Sequence, residues 1–197
     1  MPRVSELILS ACQLNDDGMR ALGDVVRGGR GLSLIRILKV DENDFGRDGM
    51  EGFFGALSES EGCLPLLEDL SLANTGAGEG IESLTTALVL KKMPKLRSLD
   101  LSSCRLTDRG VGLLGEALGG IVLPRLASLC LHNSGYGGHD RRNDFGLEGL
   151  RRFFQALQRE SVPNLRYFKT LRVTTACQRD NPLWQARQEG KLKWVDR

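Results

Sequence analysis

His132 and His139, with Cys130 and Asp140 close by, form the densest group of metal-ligating side-chain types in this chain. Cys130 and His132 are two residues apart, so on an extended segment both project from one side, as two donors to a zinc ion must. The second cluster that would close a tetrahedral site is missing, and the pair reads as surface. Asp41-Glu42-Asn43-Asp44-Phe45-Gly46 opens like a calcium loop. It fails at its fifth position, where Phe45 replaces an oxygen ligand, and at its twelfth, where Gly52 replaces the bidentate glutamate. Thr75-Gly76-Ala77-Gly78-Glu79-Gly80 lies between a strand-like and a helix-like stretch, the setting in which glycine-rich turns cradle phosphate. It has neither a Gly-Lys-Ser/Thr ending nor a full G-x-G-x-x-G. A nucleophile elbow and a His-Glu-x-x-His motif are also missing. These residues predict no enzyme, no metal and no cofactor, so the question becomes what positions them.

The positioning unit is clearest at Lys95 to Leu114, where Leu96, Leu99, Leu101, Cys104 and Leu106 follow the pattern L-x-x-L-x-L-x-x-N/C-x-L. Further copies are Val4-Leu7-Leu9-Cys12-Leu14, Ile35-Leu38-Val40-Asn43-Phe45, Leu67-Leu70-Leu72-Thr75-Ala77 and Leu126-Leu129-Leu131-Ser134-Tyr136, with a degenerate start at Leu165-Phe168-Thr170. First positions at 4, 35, 67, 96, 126 and 165 leave room for a helix in every unit. Each unit therefore predicts a short strand, a turn, a helix and a return loop. In the first, Leu7 and Leu9 alternate as in a strand, and Met19, Leu22, Val25 and Val26 follow at helical spacing.

Helix starts are expected at Asn15 or Asp16, at Asp44 or Asp48, and at Thr107 or Asp108. Gly28, Gly62 and Gly119 mark helix ends, while Pro65, Pro94, Pro124 and Pro163 precede the next strands. The Asn/Cys position faces inward at the turn and meets backbone polar groups there, so Cys12, Asn43, Thr75, Cys104 and Ser134 read as structural. In the fifth unit a six-residue polar insertion between Tyr136 and Gly146 is expected to protrude at one rim. The array is expected over 1–170 and a carboxyl-terminal cap or tail over 171–197. Asn181-Pro182 would start a helix there, Gly190 would end it, and Trp184 and Trp194 would cover the last open face. The first strand begins by Val4, which suggests a fragment of a longer array or an edge covered by another element.

The 197 residues carry 27 basic and 25 acidic side chains, a net charge of +2, which gives no bulk electrostatic case for nucleic acid or an anionic membrane. The opening residues lack a signal-like apolar core, and no apolar run is long enough to span a bilayer. Cysteines at 12, 63, 104, 130 and 177 have neither disulfide-framework nor zinc spacing, so reduced thiols in a cytoplasmic protein are expected. Cys12 and Cys104 share a register but lie about 14 Å apart across three strand spacings, too far to bridge.

The repeats resemble the leucine-rich repeat family, and their length with a helix in every unit resembles its ribonuclease-inhibitor-like subfamily. That resemblance implies an α/β fold: a curved solenoid with parallel strands on the concave face and helices on the convex face. Family members of this type are mostly cytosolic scaffolds, receptor sensor regions, inhibitors and regulators of small GTPases.

Residues beside the strand leucines then line the concave face. One row is Glu6, Ile37, Asp69, Ser98, Ser128 and Tyr167. The middle row is Ile8, Lys39, Ser71, Asp100, Cys130 and Lys169, and the third is Ser10, Asp41, Ala73, Ser102, His132 and Leu171. Binding energy concentrates in aromatic and arginine anchors, which favours the carboxyl half. The partner-binding candidates are Lys39, Asp41, Asp69, Asp100, Cys130, His132, Arg141, Arg142, Tyr167 and Lys169. The expected function is a non-enzymatic protein-interaction module or scaffold that works as a monomer or as part of a longer array. Two alternatives stand beside it: a small-GTPase regulator in which Arg141 or Arg142 supplies charge, and a structural subunit of a larger assembly.

Overall fold

A computed structural model of the chain describes residues 4–28, 32–59, 61, 63–134, 139–158, 160–171 and 181–191, without the side chains of His139 and Arg187. Tyr136, Cys177 and Trp194, and with them any covering role for that tryptophan, lie outside the described residues.

Each strand is three residues long with its apolar residue at the centre. The strands β1 (Glu6–Ile8), β2 (Ile37–Lys39), β3 (Asp69–Ser71), β4 (Ser98–Asp100), β5 (Ser128–Cys130) and β6 (Tyr167–Lys169) form one sheet in chain order, parallel throughout. Leu7, Leu38, Leu70, Leu99, Leu129 and Phe168 stand opposite one another across it. All but Leu7, on the outer strand, are buried. Period-two alternation puts this spine against the helices and leaves its neighbours on the open concave face.

Helices return the chain on the other side at Asp16–Arg27, Ile81–Val89, Asp108–Gly120 and Leu147–Ala156, with a composite helix over 47–59 that passes through a π turn at Glu51–Gly55. Met19, Phe53, Leu84, Leu114 and Phe153 are their fully buried contributions. The architecture is thus the curved α/β leucine-rich solenoid.

Where the chain leaves each of the first four strands it bends through a left-handed residue: Ala11, Glu42, Asn74 and Ser103 have φ between 52° and 57°. The next residue is the inward one, and it must satisfy backbone groups that the bend removes from the ladder. Asn43 does so completely. Its Oδ1 accepts from Cys12 N (3.1 Å) and Leu14 N (2.8 Å), and its Nδ2 donates to Leu9 O (2.8 Å) and Val40 O (2.9 Å). Thr75 and Cys104 are also buried and bonded to Leu72 O. Cys12 is exposed instead, because no unit stacks over it on the described chain.

In the fifth unit Ser134 does not hold this position. Asn143 does: its Oδ1 accepts from Cys104 N (2.8 Å) and Leu106 N (3.0 Å), and its Nδ2 donates to Leu101 O and Leu131 O (2.9 Å each). Asn43 follows Cys12 by 31 residues, whereas Asn143 follows Cys104 by 39. The extra chain therefore precedes the turn asparagine. Phe145, 5% exposed, fills the apolar position expected for Tyr136, and Ser134 bonds Asn74 Oδ1 at 2.6 Å.

The helix starts differ from expectation in a related way. Asn15 and Thr107 cap their own helices through Gly18 N and Gly110 N. Asp16 and Asp108 reach the next unit: Asp16 Oδ1 accepts from Gly46 N (2.7 Å) and Gly49 N (2.8 Å), and Asp108 Oδ1 from Gly146 N (2.7 Å) and Gly149 N (2.8 Å). The second helix is therefore capped by its neighbour, not by Asp44 or Asp48. A Cβ at Gly49 or Gly149 would lie 2.7 or 2.6 Å from that carboxylate oxygen, so both positions require glycine.

The last helix spans Pro182–Gln188 behind Asn181, whose side chain accepts from Leu183 N, and Gly190 turns at φ 70°. Ala186 is buried and Lys191 Nζ donates to Phe154 O (2.8 Å). Trp184 remains 38% exposed, so Ala186, and not this tryptophan, supplies the fully buried contact.

Asn143→Ala strips partners from two buried N–H and two buried C=O groups and should cost about 3 kcal/mol, whereas Ser134→Ala should cost below about 1 kcal/mol. Urea denaturation of the two variants measures the difference.

Candidate protein-binding face

The strand spine fixes which side chains face out, and the pairing register brings the middle row Ile8, Lys39, Ser71, Asp100, Cys130 and Lys169 together across six strands. Lys39 and Lys169 are exposed, Asp69 is half-buried, and Tyr167 next to Ser128 is 38% exposed. Asp41 is a connector across three units. It accepts from Ser10 Oγ (3.0 Å), from Ala73 N (3.2 Å) and from Ser71 Oγ. Its carboxylate is thus largely occupied within the face.

The carboxyl half holds a compact polar group. Asp100 accepts from Ser102 N (2.9 Å), and Ser102 Oγ lies 2.9 Å from His132 Nδ1. Burial pushes the His132 pKa below the ordinary imidazole value; Lys169 lowers it further and Asp100 opposes both. His132 is therefore held towards its neutral form. Burial likewise raises the Cys130 thiol, with Asp100 adding to the effect. Cys104, fully buried, is pushed up to about 12, so it packs as a thiol and is no nucleophile. Among the described residues no group of three or more His, Cys, Asp and Glu is placed to hold a metal ion.

Arg141 and Arg142 separate completely. Arg141 belongs to the insertion, on a short turn, His139–Arg141, and points back along the exit rim. Its guanidinium donates to Asn43 O (3.1 Å), to Asn74 O and to the Asp44 carboxylate, while its own carbonyl accepts from Arg105 N (3.1 Å). Asp44 is 71% exposed, so that ion pair contributes below about 1 kcal/mol. The carbonyl bonds matter more, since each takes up an acceptor of the turns. The described part of the insertion, 139–142, therefore lies along units four, three and two as a strap, and Arg141 is committed to the fold. Arg142 is exposed. Beneath the strap a cleft of about 230 Å³ carries Arg105, paired with Glu79 at 2.6 Å, so its charges are already matched.

Spacing put Ser102 in a concave row but missed its bond to His132, thirty residues on. It also missed Asn143, for which a signal existed: Asn-Asp-Phe-Gly occurs at 43–46 and again at 143–146.

Two comparisons with known proteins bear on the fold. The family described as Leucine Rich repeat matches residues 4–23 and 92–115, the first and fourth units. Together with the parallel six-strand stack, this supports a leucine-rich repeat protein. The chain is also similar to the Tonsoku-like protein of Danio rerio, 27% identical over 139 residues, which is 68% of this chain and 9% of that protein. The chain thus corresponds to a small part of the length of the relative it matches. Among the described residues no helix is long and apolar enough to cross a membrane.

In an NMR titration His132 should have its midpoint below the unfolded-chain value. Asp100→Asn removes the one opposing charge and should lower it further, whereas Lys169→Gln should raise it. A midpoint indifferent to both changes would show that neither charge acts on His132.

Proposed function

We propose that this chain is a non-enzymatic protein-interaction module that binds a partner protein through the concave face of its carboxyl half, with Asp100, Cys130, His132, Tyr167 and Lys169 as principal contacts and Lys39 and Asp69 extending the surface. The observation that carries this reading is the division of labour among polar side chains. At the exit turns they are consumed by backbone groups, as at Asn43, Asn143 and Arg141, whereas on β4 to β6 they stand in register on an open face. A face with one aromatic residue, both charges and hydrogen-bonding groups suits protein recognition. In this reading 171–197 closes the array, the protein acts in the cytoplasm, and a longer protein of the kind seen in the relative would use the module as one of several segments.

The GTPase-regulator alternative rests on Arg142 alone, because a guanidinium already bonded to Asn43, Asn74 and Asp44 is not free to enter a partner's site. The assembly-subunit alternative draws on β1, which pairs on one side only and leaves Val4 57% exposed.

Affinity capture from cell extract with the unmodified chain and with Asp100→Ala, His132→Ala and Tyr167→Ala tests the proposal. The substitutions should reduce capture of the same partner by about tenfold or more without lowering the melting temperature. Partner capture that survives all three overturns the concave-face assignment. Stimulated GTP hydrolysis lost on Arg142→Ala would favour the regulator instead.

A further inference from the structure

The residue just before each strand forms a fourth row, on the rim opposite the strap. Backbone bonds fix its register: Glu68 N donates to Arg36 O, Arg97 N to Glu68 O, Ala127 N to Arg97 O and Arg166 N to Ala127 O, at 2.7 to 3.0 Å. The row therefore reads Arg36, Glu68, Arg97, Ala127, Arg166.

Its first three members show what two arginines at this spacing hold. Glu68, 22% exposed, places one carboxylate oxygen 3.3 Å from Arg36 Nη1 and the other 3.4 Å from Arg97 Nε. Arginines of alternate units, about 9.6 Å apart at two strand spacings, thus clamp one carboxylate between them. Two units along, Arg97 and Arg166 repeat the arrangement, but the residue between them is Ala127. A cleft of about 280 Å³ lies there, lined by Arg97, Arg125, Ala127 and Arg166 with Pro124 and Asn164. Arg97 meets Glu68 through Nε, which leaves its two Nη groups outside that pair. Among the described residues neither Arg125 nor Arg166 has a carboxylate partner.

We propose that this notch binds a carboxylate side chain from an acidic segment of a partner protein, which takes the place that Glu68 fills two units earlier. The inference rests on the protein-interaction reading above and adds the partner's chemistry. Three guanidiniums around a floor with no side chain beyond Cβ present planar donor pairs that match a carboxylate. The cleft contains no aromatic side chain on which a nucleobase would stack, which favours a polypeptide over a single-stranded nucleic acid.

The test uses a fluorescein-labelled peptide of glutamates separated by glycines, its glutamine counterpart and a labelled oligothymidylate, each titrated with the full chain at low salt and followed by anisotropy. The glutamate peptide should bind, the glutamine peptide should not, and affinity should fall steeply with salt. Ala127→Glu supplies the missing carboxylate from within and should weaken peptide binding at least about tenfold while leaving the melting temperature unchanged or raised. Arg166→Gln should weaken it similarly, and Asp100→Ala, on the concave face, should not. Equal binding of the two peptides, binding unaffected by Ala127→Glu and Arg166→Gln, or oligothymidylate bound as tightly as the glutamate peptide would each overturn the proposal. Partner capture that is lost with Asp100→Ala but not with Ala127→Glu would remove the notch and keep the concave face.

Discussion

Stacking short parallel strands creates one recurrent difficulty: each time the chain leaves the sheet, backbone N–H and C=O groups are carried into the interior without ladder partners. Asn43 and Asn143 meet it with one side chain each, taking two donors and giving two hydrogens across adjacent units. A buried amide left unpaired costs about 1–3 kcal/mol, comparable to burying an apolar side chain, so the solenoid depends on these turns as much as on its leucines. Asp16 and Asp108 apply the same logic to the following helices, whose first amides they bond from the preceding unit. Units one and two, and again units four and five, are joined by this paired device.

That constraint decides where function can reside. Polar side chains on the exit rim are largely absorbed, as at Arg141 of the inserted loop, which closes over acceptors of units two and three, whereas Arg142 beside it is exposed. The leucine spine is buried. Apart from Arg142, what remains available is the concave face and the entry rim. On the face, Lys169 and Asp100 act in opposite directions on the His132 imidazole. At the rim, a clamp that is satisfied at Glu68 recurs without its carboxylate at Ala127.

Much of this is written in local sequence. Strand positions, the facing spine and the three concave rows follow from period-two alternation, and the pairing reproduces the spine and the first two rows residue for residue. The departures arise where the determinant is another unit. Ser134 stands at the regular distance from Leu131, but the turn is closed by whichever side chain reaches four backbone groups, and that is Asn143 after the insertion. Asp44 and Asp48 look like caps, but Asp16 occupies the amides first because Gly49 lets it approach. Arg141 reaches Asn43 across 98 residues of chain, a contact that no spacing within one unit encodes. The recurrence of Asn-Asp-Phe-Gly was the available clue, since the same four residues in the same turn imply the same job.

Native-state hydrogen exchange at the amides of Cys104, Leu106, Gly146 and Gly149 tests most directly whether these cross-unit bonds hold the stack. If they do, all four exchange as slowly as the ladder amides of Leu101 and Leu131, although none lies in a strand. Exchange at the rate of an unstructured peptide, with Leu101 and Leu131 still protected, would contradict the account.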